Sequence, residues 1–524
     1  MDSHPADDQP VTIVSRPRSR LRLEHLAFVV VIYCGVVAAM WPRRTYDIWW
    51  HLATGKLIVE QRAIPDSDPF SWTREGTPWI THEWGWEIPM YLMYERWGFG
   101  GLMALRVIVA GIASALLAWL CLHRGAAPLA VMAAGALAIF SGRPVFNDRP
   151  QIATIPFFLA VLCLIEMSER GRERWLLLVP VLMIPWVNIH GGFIFGPALL
   201  CLYAAVCAVR WIAQRREGQP LRPVPAIVVL AIVLSLAATL VNPHGLAGAT
   251  YPVKYIHGEH AWHKTWITEY ESPDFNGEIF VFLGLLIVAS SVAFAASGRR
   301  AGLWDLAIAA AFLYMALKWQ RNMGLYSVAI APIFALHLSD LVKLAGIRSF
   351  EDMPDEREPS WLYVAIFVVL AATMVQGAPA ALRKTPGVFE QDYPIECVRY
   401  VEQTHLPGRM FNTYRWGGYL IWKLWPEQRV FVDGRADVMG HDLIMDWDRT
   451  HKLATGWQEV LDKYEIDWAL VSASSPLCRA LAITAGWRLA CEEPEAQLFV
   501  RAGTPADRAA VALPPTGESV PSDG

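Results

Sequence analysis

Six short stretches concentrate the groups that could do chemistry. They are Tyr46-Asp47-Ile48-Trp49-Trp50-His51, Thr81-His82-Glu83-Trp84, Arg143-Pro144-Val145-Phe146-Asn147-Asp148-Arg149-Pro150, Asn188-Ile189-His190-Gly191-Gly192, Asn242-Pro243-His244-Gly245 and Lys318-Trp319-Gln320-Arg321-Asn322. A carboxylate such as Asp47 can act as a general base on an acceptor, or hold a divalent cation beside a diphosphate. If Asp47 opens a helix, His51 lies four residues on and shares its face; the plainer alternative is an interfacial helix with tryptophan anchors and a solvated Asp47. His82 and Glu83 could be ligands or proton carriers, or simply polar loop residues. A zincin helix would need histidine at position 86, where Trp86 stands, so that motif is excluded.

Arg143 and Arg149 carry planar forks suited to phosphate. The competing reading is an Arg149–Asp148 pair or snorkelling at an interface. Lys318 and Arg321 suggest phosphate binding too, with Asn322 beside them. Asn188, His190, Asn242, His244 and Asn322 are candidates to line a cavity, because irregular polar backbone at membrane depth is tolerated where it does so; the asparagines could equally be helix caps. Asp47, Glu83 and Asp148 are the candidate ligands for a divalent metal such as Mg or Mn. His257, His260 and His263 have metal-like spacing but fit ordinary loop histidines better. Asp433-Gly434-Arg435-Ala436-Asp437 reads as a charged cluster after a strand, either a site or an Asp-Gly turn with a salt bridge. A Walker loop, a GxGxxG motif and a Ser-His-Asp ordering are all missing, so no nucleotide cofactor is expected.

The elements that must position these groups are mostly apolar. Of 524 residues, 54% are hydrophobic and 18% charged, against about a quarter charged in soluble domains. A bilayer span takes about 20 apolar residues. Candidates fall near 25–42, 101–122, 127–142, 151–167, 175–189, 193–210, 225–241, 279–297, 303–317, 323–341 and 361–377, of which 127–142, 175–189 and 303–317 are short. Many of the 24 tryptophans flank these blocks, as in interfacial belts. A cleavable signal peptide is not expected, since no small-residue cleavage site follows the first apolar block.

Arg16, Arg18, Arg20 and Arg22 precede the first span and place the N-terminus in the cytoplasm. Alternate loops then carry Arg124; Arg170, Arg172 and Arg174; Arg210, Arg215, Arg216 and Arg222; Arg299 and Arg300; and Lys343, Arg348 and Arg357. An odd number of spans satisfies the rule throughout. It puts all six polar stretches and the C-terminal part on the outer side of a cytoplasmic (inner) membrane. The expected organisation is a cytoplasmic tail (1–24), a multi-span domain (25–377) with a long first outer loop (43–100), an extracytoplasmic domain (378–502) and a disordered tail (503–524).

In the C-terminal domain, Arg429–Arg435, Asp467–Val471 and Gln497–Val500 read as strands, and 456–464 and Ser475–Thr484 as helices, which suggests a small α/β domain. Trp416-Gly417-Gly418-Tyr419-Leu420-Ile421-Trp422 reads as a Gly turn and an apolar run. The domain holds Cys397, Cys478 and Cys491, so at most one disulfide can form there; the other five cysteines sit in apolar blocks. No basic stretch interleaves with aromatics, so nucleic acid is not a partner.

The order of these parts resembles the GT-C superfamily of polyprenyl-phosphate-dependent glycosyltransferases, which includes protein mannosyltransferase-like and aminoarabinose transferase-like enzymes. The resemblance covers most of the chain. It is similar to a bacterial branch marked by Asp47-Ile48-Trp49-Trp50-His51-Leu52-Ala53-Thr54-Gly55, Asp68-Pro69-Phe70-Ser71, His82-Glu83-Trp84 and Val432-Asp433-Gly434-Arg435. The resemblance implies that Asp47 is the catalytic or metal-binding carboxylate; His51, His82 and Glu83 are the other catalytic candidates, from their residue types and spacing. Many members carry an Asp-Glu pair where this chain has Asp47-Ile48, so Glu83, Asp66, Asp68 or Asp148 would supply a second acid. It further implies a lipid-linked sugar donor held by Arg143, Arg149, Lys318 or Arg321, and a lipid, glycan or protein acceptor. Three other readings fit the same parts: a transporter or lipid flippase, a non-catalytic envelope scaffold with Trp416–Trp425 as its binding surface, and a glycan ligase or polymerase.

Overall fold

The computed structural model describes residues 22–41, 45–217, 225–257, 262–344, 360–390 and 392–510. Arg16, Arg18, Arg20, Arg222, Arg348, Arg357, His260, the side chains of His257 and His263, and the tail beyond residue 510 lie outside them. Each of the eleven apolar blocks contains a helix. Eight of these segments are long and apolar enough to cross a membrane. The segments at 175–189, 225–241 and 303–317 give shorter α-helices, Val179–Val187, Ala226–Ala238 and Leu303–Lys318.

Helices α1 (Leu23–Met40), α4 (Phe99–His123) and α5 (Pro128–Gly142) pack with Met323–Leu344 as the inner layer. The segment Gln320–Leu344 is 78% buried, whereas Trp361–Gly387 is 6% buried and so lies at the periphery. With no hydrophobic drive between helices in lipid, close approach depends on small residues. A Cβ on Gly35 would stand 2.0 Å from Ser114 Oγ, and one on Gly135 2.7 Å from Val31.

The long loop expected at 43–100 is itself helical: α2 (Ile48–Gln61) and α3 (Trp84–Trp97) pack against each other. This overturns the interfacial-helix reading. Trp49, Trp50 and His51 are buried because α2 is covered by α3 and by the C-terminal-domain helix Gly417–Leu424. A Cβ on Gly55 would meet Glu87 O at 2.2 Å, and one on Gly418 would meet Trp50 N at 3.2 Å. Trp49 is ringed edge-on by Tyr94, Phe99, Tyr393 and Tyr419.

Asp148 turns out to pair with Arg106 of α4 rather than with Arg149. Arg106 is 1% exposed, binds both Asp148 oxygens and also donates to Ala39 O and Met40 O at the end of α1. A charge this deep is tolerated only when paired and hydrogen-bonded.

The C-terminal domain carries a four-stranded mixed sheet of β1 (Met410–Asn412), β2 (Trp468–Ser472), β3 (Trp487–Glu492) and β4 (Ala496–Arg501) in the order β1-β2-β4-β3. β1 and β2 are parallel and the other pairs antiparallel. The strands expected at 467–471 and 497–500, and the helices at 456–464 and 475–484, are present, the last capped by Ser475 Oγ accepting from Cys478 N. The strand expected over 429–435 does not form. The Asn412 side chain takes its backbone groups, accepting from Phe431 N and Val432 N and donating to Val432 O. Only Val430 pairs, in a parallel bridge with Ser71 of the long first loop. Helices Ile395–Thr404 and Ala436–His451 and strand β3 were not anticipated. The boundary expected at residue 378 falls within one continuous helix, Ser360–Glu390.

Asp68-Pro69-Phe70-Ser71 and Asp433-Gly434-Arg435 form the junction between first loop and domain. Arg435 Nε and Nη2 donate to Asp433 at 2.9 and 2.6 Å, and Nη1 donates to Asp68 Oδ1 at 2.7 Å, with all three side chains fully buried. The guanidinium is sandwiched by Phe70 and Trp79. Asp68 also accepts from Phe70 N and Ser71 N. Trp425 Nε1 donates to Pro69 O, and Trp416 is 4% exposed. The aromatic run 416–425 is therefore largely spent inside the molecule, not offered as a scaffold's binding surface.

Candidate active site

A cavity of about 280 Å³ lies where the loop after α1, four later inter-span connections and the C-terminal domain meet. A wider hollow of about 1240 Å³ adjoins it. Asp47, Arg149, Glu269 and Arg321 line both.

Asp47 is the N-cap residue of α2. Trp50 Nε1 donates to its Oδ1 at 3.2 Å, and Arg149 Nε lies 3.2 Å from its Oδ2. Arg149 reaches this point because its backbone N–H is held by Asn147 Oδ1 at 3.0 Å, and its Nη1 pairs with Glu269. Gly434 presses in from the C-terminal domain; a Cβ there would stand 2.5 Å from Asp47 Oδ1 and 3.1 Å from Trp50 Nε1. Only a residue with no side chain lets the domain close over this carboxylate.

Glu83 forms a second acidic point. His82 Nε2 lies 3.6 Å away and His190 Nε2 4.0 Å away. Gly192 N–H donates to His190 Nδ1 at 3.0 Å, so Nδ1 keeps its lone pair and neutral His190 carries its proton on Nε2, facing Glu83. Thr154 Oγ1, 2.8 Å from the same Nδ1, steadies the ring. Burial raises the Glu83 pKa, with Asp437 and Asp47 adding to the effect and His82 and Arg149 opposing it. Burial holds His190 well below the usual imidazole range, helped by Arg321.

Tyr251 and Tyr255 from helix Gly245–His257 also line the cavity. Tyr251 OH donates to Asp437 Oδ2 at 2.8 Å and meets Tyr255 OH at 2.9 Å, and its ring lies 4.2 Å from that of His82. Arg321 packs its guanidinium on Tyr270 at 4.6 Å, with Asn322 and Lys264 on the same cavity wall.

The cavity thus gathers Asp47, His82, Glu83, Arg149, His190, Arg321 and Asn322 among the residues expected from the sequence. It does not gather the rest. Lys318 is exposed, over Trp319 and beside Tyr314 OH. Arg143 lines neither hollow. Asn188 clamps α3 to the spans, accepting from Trp84 Nε1 and donating to Ile184 O and Val241 O. Asn242 closes its own turn on Thr239 O, Gly245 O and His244 N, so His244 stays behind the wall. His51 lies beneath the cavity, its Nδ1 3.0 Å from Glu87 Oε1. The three carboxylates expected as metal ligands are committed to three different partners: Asp47 to Arg149, Glu83 to histidines and Asp148 to Arg106. Among the described residues no group of three or more His, Cys, Asp or Glu could hold a metal ion, so the side chains do not fit a divalent cation as arranged. Tyr251, Tyr255, Thr154 and Glu87 were missed by sequence reasoning. The sole available signal was Glu87 four residues after Glu83 on α3.

His51 and Glu87 form a buried pair, Nδ1 to Oε1 at 3.0 Å. Burial drives Glu87 well above the carboxylate range and His51 well below the imidazole range. Glu87 Oε2 is buried without a hydrogen-bond partner, which a protonated carboxyl tolerates better than a charged one. Glu87's contribution to stability is complete below its unfolded value of about 4.3 and is lost as pH climbs through its raised folded value. His51's contribution is complete above about 6.5 and is lost as pH falls. The two slopes oppose each other: Glu87 favours the folded state at lower pH and His51 at higher pH. Thermal melts of the detergent-solubilised protein should therefore show Glu87's share of the stability lost as pH rises through its raised folded value, and Glu87→Gln should remove that loss. An unchanged slope would assign it elsewhere.

No family model and no curated protein matches this chain. Among solved structures, it is similar to the archaeal oligosaccharyltransferase AglB from Archaeoglobus fulgidus in complex with an inhibitory peptide and a dolichol-phosphate. The likeness covers 92% of this chain and 74% of the other, at TM-score 0.53 and 10% identity. The same organism's oligosaccharyltransferase tethered with an acceptor peptide gives TM-score 0.51 and 10% identity, over 91% and 74% of the two chains. ArnT from Cupriavidus metallidurans in the apo state gives 0.48 and 15%, over 91% and 97%. The chain is a multi-pass membrane protein that shares its fold with the archaeal oligosaccharyltransferase.

Proposed function

We propose that this chain is a membrane glycosyltransferase that moves a sugar from a polyprenyl-phosphate donor to an acceptor on the outer face of the cytoplasmic membrane. One observation carries the reading: Asp47, Glu83, Arg149 and Arg321, drawn from three separate connections, converge on one cavity. The archaeal relative bound to a dolichol-phosphate supports a lipid-phosphate ligand for a fold of this kind.

The two hollows suit two substrates. The smaller has an apolar side made by Val145, Ile155, Ile194, Phe195, Met315 and Leu325, fit for the first isoprene units of a lipid. Arg321 and Lys264 would hold the phosphate there, the role expected of Lys318. The wider hollow is lined by Thr413, Arg415, Ser472, Ser474 and Glu495, groups that suit a polar acceptor. The hollows meet at Asp47. Asp47 takes the proton of an acceptor hydroxyl or amine, the freed lone pair attacks the anomeric carbon, and the bond to the phosphate oxygen breaks. Arg321 and Arg149 offset the charge that develops on the departing lipid phosphate. A single displacement of this kind inverts the anomeric carbon. The arginine-bearing loops between spans support a cytoplasmic N-terminus and hence an outer-face site.

The test is mass spectrometry of lipid extracts from cells with and without the gene. The deletion should accumulate a polyprenyl-phosphate sugar and lose a glycan, both restored by the wild-type gene; unchanged lipid-linked sugars would sink the proposal. In transfer assays with purified protein, Arg321→Ala should raise the donor KM by roughly 10–100-fold, the worth of a charge-assisted phosphate contact of about 1.5–3 kcal/mol. Lys318→Ala should change it less than about twofold. Equal effects would return the phosphate to Lys318.

A further inference from the structure

We propose that Cys397 and Cys491 form a disulfide that staples the entrance of the C-terminal domain. Cys397 lies in helix Ile395–Thr404, the first element after the last membrane helix, and Cys491 lies in β3, one of the two edge strands of the sheet. Their sulfurs stand 2.6 Å apart, although 94 residues separate them in sequence. That is too close for two unbonded sulfur atoms and within a small adjustment of a bond of about 2.05 Å. Both side chains are buried, at 0% and 7% exposure.

Neighbouring contacts fix the two elements independently of the sulfurs. Glu493, two residues beyond Cys491, caps the start of the helix, its carboxylate accepting from Cys397 N at 3.0 Å and Glu396 N at 3.2 Å. Just ahead of the helix, Trp416 Nε1 donates to Asp392 O, and Tyr393 stacks on Tyr419. The third cysteine of the domain is otherwise engaged: the Cys478 thiol donates to Gln497 Oε1 at 2.9 Å. The geometry thus selects one of the three possible pairings.

The step is an ordinary thiol–disulfide exchange. A Cys thiolate attacks an oxidised dithiol carrier of the extracytoplasmic space, and the second Cys thiolate displaces that carrier from the mixed disulfide. The two cysteines lose two electrons and two protons, and the carrier leaves as its dithiol. The inference rests on the outer-face placement of the domain, because such bonds persist in oxidising compartments and are rare in the cytosol.

The experiment uses the full chain purified in detergent from cells quenched with a thiol alkylating agent. The protein is denatured, alkylated with N-ethylmaleimide and digested, with or without prior reduction. Without reductant, the peptides of Cys397 and Cys491 should appear joined, two hydrogens lighter than their sum, while Cys478 is alkylated; after reduction all three should be alkylated. Alkylated Cys397 and Cys491 without reductant would overturn the proposal. An alkaline phosphatase fusion at the C-terminus separates the two failures. An active fusion with reduced cysteines removes only the disulfide, whereas an inactive one removes the outer-face placement and the disulfide with it.

Discussion

Replacing Asp47 with asparagine should lower sugar transfer by about 10²–10⁴-fold while the protein still folds. General-base catalysis contributes in that range. Asparagine keeps the size of the side chain and an oxygen for Trp50 Nε1, but it cannot take a proton at neutral pH. The Asp47–Arg149 pair is about a quarter exposed on each side, and Arg149 retains Glu269. Partly exposed pairs contribute little to stability, so melting should move by no more than about 1 kcal/mol. The assay is transfer by purified protein from the lipid-linked sugar that accumulates in the deletion strain, with thermal unfolding run alongside. Glu83→Gln is the necessary partner. If Asp47→Asn lost less than tenfold and Glu83→Gln lost a thousandfold, the base would be Glu83, acting beside His82 and His190.

The largest effect on stability should come from Arg435→Met. Methionine follows the apolar stem of arginine between Phe70 and Trp79 but leaves Asp68 and Asp433 buried without their cation. Removing one partner of a buried ion pair costs about 3–5 kcal/mol. Burial already pushes Asp433 up against the pull of Arg435, and without the guanidinium that upward push is unopposed by its main partner. An early transition in a thermal melt, with the C-terminal domain coming away from the first loop, is the expected reading. Adding Asp68→Asn and Asp433→Asn should recover part of the loss by removing the stranded charges. A single variant as stable as wild type would mean that water reaches this junction.

Much of the membrane part is legible in the sequence because an apolar span needs no distant partner to declare itself. Its backbone must be satisfied within the segment, so length and composition suffice. Asp47, Glu83, Arg149 and Arg321 stand out for a related reason, being polar side chains beside apolar blocks. What the sequence hides is which polar residues face one another. Asp68 and Arg435 read as chemistry and prove to be a joint, because their partners lie 367 residues apart. Asp148 reads as a metal ligand and proves to be the counterion of Arg106, which sits in the middle of an apolar run. Asn188 and Asn242 spend themselves on backbone, as asparagines at helix ends do. Tyr251 and Tyr255 reach the cavity from a short helix whose apolar face gives no hint of the hollow it borders. The strand misread at 429–435 has strand-like composition, but one buried side chain, Asn412, supplies its partners instead of a neighbouring strand.

The joint between Asp68 and Arg435 has a consequence in time as well as in space. At synthesis rates of about 5–20 residues per second, the ribosome needs roughly 20–70 s to travel from one residue to the other. Throughout that interval α2 and α3 have been delivered, but Gly434 and Gly418 have not arrived to cover them. The nascent chain therefore waits with Asp47 uncovered and Asp68 without its cation, and the reaction chamber closes as one of the last events of biogenesis. A chain truncated before residue 435 would hold every membrane helix and Asp47 itself, yet lack the wall against which a substrate is pressed.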